Sequence, residues 1–510
     1  MTSARSVLVL SLALVTVAGC SHKPRALSDS IFSKSANYYY HSVSHQDPIA
    51  EPLTLYEAMA RALKYNWDYR VQAQEAAFRK SELVVSSYSM LPEVAANAGY
   101  SGRDNILASD SLDLLTRERS GDSSSSQDKE VGTTDISFGW NILDFGLSYI
   151  RAKQLGDRYW ISQESRRKAM QKLLEDVRTS FWRAQAYEHL YGQLKALHRR
   201  VEKNQYNNRL ISQSGKTPRL QALIAERELV EIKRALNGLQ EEIRNSKTKL
   251  AALINIRPGT DFKLVAPKHE KMPVALPLGP DELTMIALRD RSEIHEKLYQ
   301  QRINQQEAQA AVLQLVPSLK LYTGQNSSSN SFLVNANWVD WGAAASWNLL
   351  QVFQYPAQRR SLKAQDKLLD MQTKALSMSI LSQVHISQIQ YQQARQSYKI
   401  ASEYLNVQRR LLRQIRLEFK ANRVGEQKLL HEELNSLIAE TKYDLAYADL
   451  QSAYAQIFRS IGWDPCHPDD SRKSVEELSA QLERAWTTSQ LDMKAKKPQQ
   501  VSSEPRKKAR

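Results

Sequence analysis

The sequence contains few of the residues that cross-link or interrupt a fold. Of its 510 residues only 2 are cysteine, and glycine and proline number 17 and 16. Two cysteines cannot provide a disulfide framework, so an exported chain of this size has to be held together by packing or by oligomerisation. The shortage of glycine and proline predicts long helices, and the even spread of polar residues predicts that each helix buries only a narrow apolar stripe.

Long apolar runs are absent beyond the N-terminus. No segment after residue 20 is apolar enough to form a transmembrane helix, so a membrane would have to be crossed by a β-barrel. The net charge is +15, and its densest cluster is residues 494–510, which we expect to be a solvated, disordered arm. Because the charge forms no groove-like patch, we predict no nucleic-acid partner.

The first twenty residues predict export and lipidation. One arginine precedes an apolar run at 7–17, and the segment ends in VAGC, with Cys20 last. The run is too short for a lasting membrane anchor, so residues 1–19 are a predicted signal peptide. VAGC resembles a bacterial lipobox, which implies cleavage before Cys20 and a covalent lipid on it; Ser21 next to it implies sorting to the outer membrane. An ordinary secreted protein with a chance cysteine is the alternative.

Two halves of the chain repeat the same order of features. WNIL at Trp140 returns as WNLL at Trp347, and the proline at Pro92 returns as Pro317. The first half is longer between its proline and its tryptophan, and the extra residues fall in a polar loop, where chain length varies freely. Two copies are too few for a solenoid, so we predict an internal two-fold repeat in which a duplicated half builds one body.

Each half contains two short segments with the alternation of a β-strand. In the first half Ile136, Phe138 and Trp140 alternate with polar or small residues. This pattern suits a membrane strand with one face toward lipid and one toward water, and a soluble hairpin packed on a core is the alternative. Four strands per chain cannot close a barrel, so membrane strands require oligomerisation, with eight strands from two chains or twelve from three.

A segment of helical character follows each tryptophan phrase. Residues 146–217 and 357–464 contain no proline, which predicts a first helix of ~65 residues and on the order of 100 Å in each half. These helices should end near Gly215 and Asn422, because both residues tolerate the left-handed conformation of a helix C-cap. The returning helices carry apolar residues at spacings of three and four, as in residues 229–253, which is typical of a coiled-coil seam.

The order of these features resembles the TolC family of outer-membrane channel proteins, in its lipoprotein branch. The resemblance covers residues 53–464 and depends on the order of its segments occurring twice. Those segments are LTLYEAMARALKYNWDYR at Leu53, SYSMLPEVAANAGY at Ser87, ISFGWNILDFGLSYIRA at Ile136, LISQSGKTPRLQALIAE at Leu210 and LEFKANRVGEQKLL at Leu417.

The resemblance implies a mainly α-helical homotrimer with a transmembrane β part. Three chains of four strands would form a twelve-stranded β-barrel in outer-membrane lipid, continued through the periplasm by a coiled-coil α-barrel. The implied function is the exit duct of an efflux pump or type I secretion system. The implied partners are a periplasmic adaptor and an inner-membrane pump of the RND or ABC type. No cofactor is implied beyond the lipid on Cys20.

On this interpretation the chain divides into ten consecutive segments. The first three are a signal peptide (1–19), a lipid-linked tether (20–52) and the first helix of repeat one (53–91). A β-hairpin (92–143) and a long helical hairpin (144–258) complete that repeat, and a linker (259–280) follows. Repeat two has a first helix (281–316), a β-hairpin (317–350) and a long helical hairpin (351–464), before a C-terminal periplasmic segment with the basic tail (465–510).

Two groups of residues are candidates for function. The strand–helix junction candidates are Pro92, Trp140, Gly146, Pro317, Trp347 and Pro356, and the candidates for the periplasmic tip and gate are Gly215, Arg219, Gln221, Asn422, Arg423, Lys428 and His431. The family often places acidic residues six and nine positions past the turn, where this chain has neutral or basic ones. We therefore expect a neutral to positive mouth that favours anionic or large cargo, unless these side chains face solvent or the adaptor.

Other motifs are weak, and two other functions remain open. SGKT at Ser214 lacks the first glycine of a phosphate-binding loop, and the His41–His45 pair has no nearby carboxylate or thiolate partner apart from Asp47. A turn after the last helix explains the cluster of Cys466, His467, Asp469 and Asp470. We predict neither a metal site nor an enzyme. A periplasmic adaptor lipoprotein would have one helical hairpin and glycine-rich β halves, and a structural coiled-coil lipoprotein would not need the strand hairpins.

Overall fold

A computed structural model of the chain describes residues 26–42, 46–47, 49, 52–119, 121–213, 218–257, 259–265, 278–466 and 473–492. Within these residues the strands are β1 (Glu93–Gly102), β2 (Glu130–Asn141), β3 (Ser318–Ser328) and β4 (Asn337–Ser346). The helices are α1 (Asp29–Ser42), α2 (Leu55–Tyr65), α3 (Trp67–Tyr88), α4 (Ile142–Glu188), α5 (Tyr191–Gln213), α6 (Arg219–Leu253), α7 (Pro280–Asp290), α8 (Ser292–Leu313), α9 (Leu349–Lys420), α10 (Glu426–Ser460) and α11 (Val475–Asp492). None of the helices in this described part combines the length and apolarity needed to cross a membrane.

The four strands form one antiparallel sheet in the order β1-β2-β3-β4. Its register places Val94 opposite Phe138, and opposite residues of antiparallel strands share a face. On the other face Asn97 lies opposite Asp135 and its Nδ2 donates to Asp135 Oδ2 at 2.9 Å. The predicted separation into an apolar and a polar face is therefore confirmed for the first hairpin. In the second hairpin it is incomplete, because Tyr322 and Trp338 lie on the polar face. The apolar face is not covered by the chain, since Val94 is 68% exposed and Ile136 63%.

The long helices differ between the two halves. Helix α9 continues unbroken for 72 residues, about 110 Å at 1.5 Å per residue. In the first half the helix ends at Glu188 and the next begins at Tyr191. At this break the Glu188 carboxylate accepts from Lys247 Nζ at 3.0 Å and from the Leu264 backbone N–H at 3.1 Å. The prediction of an unbroken helix is confirmed for the second half and wrong for the first, where tertiary contacts fix a break.

The shorter helix that opens each half is also divided. The sequence predicts one helix in each case, whereas the structure breaks them at Asn66 and Arg291, both in extended conformation. Asn66 Oδ1 accepts from the Tyr69 N–H at 3.0 Å, which caps α3. Its Nδ2 donates to the Leu253 carbonyl at 3.0 Å and so ties the break to the end of α6. A side chain that serves two elements therefore stabilises the interruption.

The returning helices bury narrow stripes, as their spacing predicted. On α6 the stripe comprises Leu229, Ile232, Leu236, Ile243 and Leu250, each at most 5% exposed. On α10 it includes Tyr447, Leu450, Tyr454 and Ile457, which are also buried. Leu229, Ile232 and Leu236 of α6 share one hydrophobic cluster with leucines at the start of α10, and Leu450, Tyr454 and Ile457 of α10 lie in a second cluster with residues of α9. The stripes therefore contribute to the core where the helices meet.

A C-terminal helix, α11, adds to this core and was missed in the sequence. Leu478 and Leu482 are buried against the cluster that contains α2. Trp486 packs edge to face with Phe458 and Trp463, at ring-centroid distances of 5.0 and 4.9 Å. The regular helical spacing of Leu478, Leu482 and Trp486 is the signal that could have identified α11. The segment after residue 465 thus contributes to the folded body through this helix.

The helices of the two long hairpins, which are α4, α5, α6, α9 and α10, lie side by side in a row. Helix α10 packs against α9 and against α4 and α5, and α6 packs against α4 and α5 and, over fewer residues, against α10. The order across the row is therefore α6, α4 with α5, α10 and α9. Helices α6 and α9 form its two ends, as β1 and β4 form the two edges of the sheet.

Corresponding elements recur in the two halves. Helices α6 and α10 are each 35 residues long, and their starts at Arg219 and Glu426 are separated by the same offset as the two tryptophan phrases. Just past their ends Asn255 and Gly462, which keep that offset, have φ angles of 59° and 72°. Both turns therefore use the left-handed conformation, which asparagine and glycine tolerate best.

We expect Asp444→Asn to stabilise the fold above neutral pH. Burial raises the pKa of Asp444 to about 6, with His189 Nδ1 3.5 Å from its Oδ2 at the α4–α5 break. The folded state therefore binds this proton more tightly than the unfolded chain, so ionisation of Asp444 lowers stability above that pH. The melting temperature of the variant should exceed the wild-type value at about pH 8, and the difference should shrink as pH falls toward about 4. Asp449→Asn, at an exposed position, is the control, and a pH-independent difference would contradict the prediction.

Candidate functional site

Asparagine side chains start both long helices. Asn141 Oδ1 accepts from the Leu143 backbone N–H at 3.1 Å, and Asn348 Oδ1 accepts from the Leu350 N–H at 3.2 Å. Each bond satisfies an amide that the first turn of the helix leaves without a helical partner. The asparagine of each tryptophan phrase is therefore the N-cap that converts a strand into a helix.

The tryptophan of each phrase also contacts residues at the same strand–helix junction. Trp140 is the second-last residue of β2, and its ring packs edge to face on Phe145 at 5.8 Å between centroids. Trp347 follows the last residue of β4, and its Nε1 donates to the Leu315 carbonyl at 3.1 Å. Pro92 and Pro317 directly precede β1 and β3, so these four predicted residues lie where helix and sheet meet.

Gly146 and Pro356, the other two junction candidates, lie inside the first turns of the helices, a few residues past the change from strand to helix. Gly146 is the fifth residue of α4 and Pro356 the eighth of α9, because the asparagine caps start the helices earlier. A Cβ atom on Gly146 would lie 2.8 Å from Leu313 Cδ2. The glycine therefore permits close approach of the end of α8 to the start of α4.

We expect Asn348→Ala to destabilise the start of α9 by about 1 kcal/mol, the usual cost of removing an asparagine cap. Hydrogen exchange of the Leu350 amide should accelerate, since it loses its acceptor. Asn348→Asp keeps an acceptor oxygen and is the matched control, which should exchange at the wild-type rate. Equal acceleration in both variants would show that the side-chain oxygen is not the cap.

The second hairpin tip has the turn that the sequence predicted. Asn422 has a φ angle of 55°, its N–H donates to the Phe419 carbonyl at 3.0 Å, and the Arg423 N–H donates to the Glu418 carbonyl at 2.9 Å. This pair of bonds is a Schellman motif, which satisfies the last carbonyls of α9. The corresponding Gly215 and the lipidation candidate Cys20 lie outside the described residues.

The remaining tip candidates lie at the starts of α6 and α10. Arg219, Gln221, Arg423, Lys428 and His431 are all exposed. Lys428 Nζ forms an ion pair with Glu432 Oε1 at 3.0 Å, and Gln408 Nε2 donates to the other carboxylate oxygen at 3.0 Å. Burial opposes ionisation, but these hydrogen bonds hold the pKa of Glu432 below its usual value. Glu432, ten positions past Asn422, was missed, although its i,i+4 spacing from Lys428 was a visible signal.

A ladder of ion pairs links four helices above the tips. Lys233 of α6 pairs with Glu202 of α5 at 3.4 Å. Arg200 of α5 pairs with Glu433 of α10, whose carboxylate also lies 3.4 Å from Arg416 of α9. Glu433 is thus shared by two arginines, one from each hairpin. This arrangement holds the two hairpins at one relative height.

No protein-family model and no curated protein matches this sequence. Solved structures do match. The Campylobacter jejuni CmeC outer membrane channel aligns with a TM-score of 0.63 and 13% identity, over 85% of this chain and 90% of that one. The open-state Neisseria gonorrhoeae MtrE channel aligns with a TM-score of 0.60 and 18% identity, over 80% and 89%. The OprN outer-membrane channel aligns at 0.61 and 17%, over 80% and 90%.

The fold is that of an outer-membrane channel. The resemblance to TolC-family channels, which the sequence predicted from ordered motifs, is therefore confirmed at the level of the fold. In this fold a small sheet is continued by long helices, of which α9 with 72 residues is about 110 Å long. In the described part of the chain no group of three His, Cys, Asp or Glu side chains is placed to hold a metal ion.

We expect Glu433→Gln to loosen the contact between the hairpins. The carboxylate is 13% exposed and its two arginines are 41% and 54% exposed, so solvent screening limits the loss to about 1 kcal/mol. Hydrogen exchange in residues 195–213 should accelerate about fivefold. Glu231→Gln is the matched control on the exposed side of α6, and equal acceleration there would argue against the shared carboxylate.

Proposed function

We propose that this chain is the exit duct of an export system that crosses the bacterial outer membrane. The observation that carries the proposal is the four-stranded sheet continued by two helical hairpins, aligned over 90% of a solved outer-membrane channel. Two hairpins and a sheet in one chain also favour a duct over the adaptor and structural-lipoprotein alternatives. The duct conducts passively, and an inner-membrane pump with a periplasmic adaptor supplies cargo and energy.

A ring of three copies completes this duct. The sheet has unpaired edges at β1 and β4, which lipid does not tolerate, so β4 of one copy pairs with β1 of the next to make twelve strands. On α9 a second apolar stripe supports the same ring. Ile400, Tyr404, Val407 and Leu411 repeat at spacings of 4, 3 and 4 and are 43–56% exposed in the single chain. Such a stripe is typical of a coiled-coil seam that awaits another helix.

The remaining features fit the same scheme. A lipid on Cys20 fixes the mature N-terminus in the outer membrane, beside the barrel. Duplication of one half accounts for the equal lengths of α6 and α10 and for their equal offsets. The partners are a periplasmic adaptor at the hairpin tips and a pump of RND or ABC type.

The mouth of the duct is neutral to positive. Arg219 and Arg423 are exposed at the two tips and form no ion pair in the described part of the chain. Lys428 contributes less than the sequence suggested, because Glu432 neutralises it. Repeated three times around a narrow entrance, these arginines favour anionic cargo.

We expect the purified chain to form conducting channels in planar bilayers, with a reversal potential in a KCl gradient that shows anion preference. Arg219→Glu with Arg423→Glu should shift the anion-to-cation permeability ratio at least about threefold toward cations. Lys428→Asp should shift it less than Arg423→Glu does. Arg359→Glu, at the sheet end of α9, is the control. Absence of conductance would refute the duct, and unchanged selectivity in the double variant would refute only the charged mouth.

A further inference from the structure

Two aromatic side chains lie on the polar face of the sheet, where the alternation of the strands does not predict them. Tyr322 of β3 is 42% exposed and Trp338 of β4 is 43% exposed. The aromatic belts of membrane barrels face lipid, and in this chain the apolar face carries Trp341, which is 82% exposed. In the proposed barrel the polar face lines a water-filled lumen, so an interfacial belt does not account for Tyr322 and Trp338.

Two glycines on the same face let neighbouring side chains lie close to the wall of the sheet. Gly342 is the cross-strand partner of Tyr322, and Gly324 is the partner of Asp340. A Cβ atom on Gly342 would lie 2.6 Å from Tyr322 Cζ, and one on Gly324 would lie 2.9 Å from Asp340 Oδ1. The ring and the carboxylate therefore each reach across to the opposite strand. Glycine inside a strand often marks a place where another group approaches the backbone closely.

The carboxylate of Asp340 lies between the two aromatic side chains. Asp340 is two residues from Trp338 along β4, a separation of about 7 Å. It is the diagonal neighbour of Tyr322 across the strand pair, and such neighbours are about 7–8 Å apart in antiparallel sheets. A solute of the size of one substituted benzene ring thus contacts the carboxylate and an aromatic ring at the same time.

The carboxylate of Asp340 has no neutralising partner in its own chain. It makes no hydrogen bond or ion pair with any residue that the structure describes. Within the strands the polar face has one lysine, Lys320, whose side chain leans away from β4, since its Cε would lie 3.4 Å from a Cβ atom on Gly139 of β2. Gly139 is in turn the partner of Glu93 on β1, so the lysine lies on the side of that carboxylate. Asp340 therefore remains available to a cation from solution.

The neighbouring copy in the proposed ring leaves this place open. The strand that pairs with β4 there is β1, whose polar face carries the small residues Ala95, Asn97 and Gly99. Side chains of this size do not extend over Asp340 or Trp338. The same carboxylate and rings therefore remain accessible from the lumen in each of the three copies.

We propose that Asp340, Tyr322 and Trp338 form a luminal binding site for organic cations that carry an aromatic ring. The inference rests on the proposed duct and adds a class of solute that occupies its outer-membrane part. The carboxylate attracts the positive charge, and the aromatic faces stabilise both the cation and the ring of the solute. An organic anion is disfavoured, because its charge would lie beside an unneutralised carboxylate.

The arginines of the proposed mouth do not govern this site. They lie at the far end of α9, which is about 110 Å long, whereas the Debye length is about 8 Å at physiological ionic strength. The positive charge of the mouth is therefore screened at Asp340. The anion preference of the mouth and the binding of organic cations in the barrel are separate properties of one duct.

Saturation-transfer difference NMR on the full-length trimer in nanodiscs tests the site, with benzyltrimethylammonium as the probe and empty nanodiscs as the blank. Asp340→Asn should raise the apparent dissociation constant about tenfold, because it removes the charge and keeps the size. Trp338→Ala should raise it about threefold. The matched controls are Glu93→Gln, a carboxylate on the same face, and Trp341→Ala on the apolar face, and both should bind as the wild type does. Benzenesulfonate, which has a ring and the opposite charge, should bind at least about tenfold more weakly than benzyltrimethylammonium.

The outcomes separate this site from the duct itself. A trimer that conducts in planar bilayers but gives no saturation transfer to benzyltrimethylammonium would overturn only the site. The same holds if Asp340→Asn and Glu93→Gln weaken binding equally, because the probe would then respond to luminal charge in general. A chain that neither forms trimers nor conducts would overturn the duct and the site together.

Thiol accessibility tests the face on which the site lies. Asp340→Cys, in a Cys466→Ser background, should react with a cationic, membrane-impermeant methanethiosulfonate reagent in the reconstituted trimer, because this position faces water. Val339→Cys, one residue earlier on the apolar face, is the control and should stay unmodified. Reaction at both positions, or at neither, would overturn the luminal assignment whether or not the trimer conducts.

Discussion

An antiparallel sheet of four strands has two edge strands, and only half of the backbone N–H and C=O groups of each edge strand are paired. A row of packed helices likewise has two end helices, each of which lacks a neighbour on one side. This chain has both, at β1 and β4 and at α6 and α9. Water can satisfy an exposed edge, but lipid cannot, so in the proposed outer-membrane duct other strands have to complete the sheet. The narrow apolar stripes of the hairpin helices have a similar consequence. Each helix in such a row buries one side within its own chain and leaves another side available to a neighbour.

The strands and coiled-coil seams follow from local sequence, whereas the breaks in the helices depend on tertiary contacts. The period-two alternation and the three–four spacing of apolar residues predicted the strands and the coiled-coil seams, because both patterns depend on neighbouring side chains alone. The breaks at Asn66 and at His189–Leu190 were not predictable in this way. They are held by bonds to residues far along the chain, such as Asn66 Nδ2 to the Leu253 carbonyl and Lys247 to Glu188. Helix propensity contains no information about such partners.

The hairpin tip illustrates the same limit for charge. The left-handed turn at Asn422 followed from residue type, because few residues adopt a positive φ angle at low cost. The electrostatic effect of Lys428 did not follow, because it depends on whether a carboxylate lies within reach and how far that carboxylate is buried. Glu432 is 5% exposed and accepts from both Lys428 and Gln408, so it remains charged and cancels the lysine. A count of basic residues past the turn overstates the positive charge of the mouth for this reason.

Ion pairs between exposed side chains contribute little free energy each, often less than about 1 kcal/mol. In the proposed ring such pairs therefore supply little of the free energy of association. The apolar stripe on α9 and the closure of the sheet supply the free energy of association, because burial scales with area and a paired edge removes many unsatisfied groups at once.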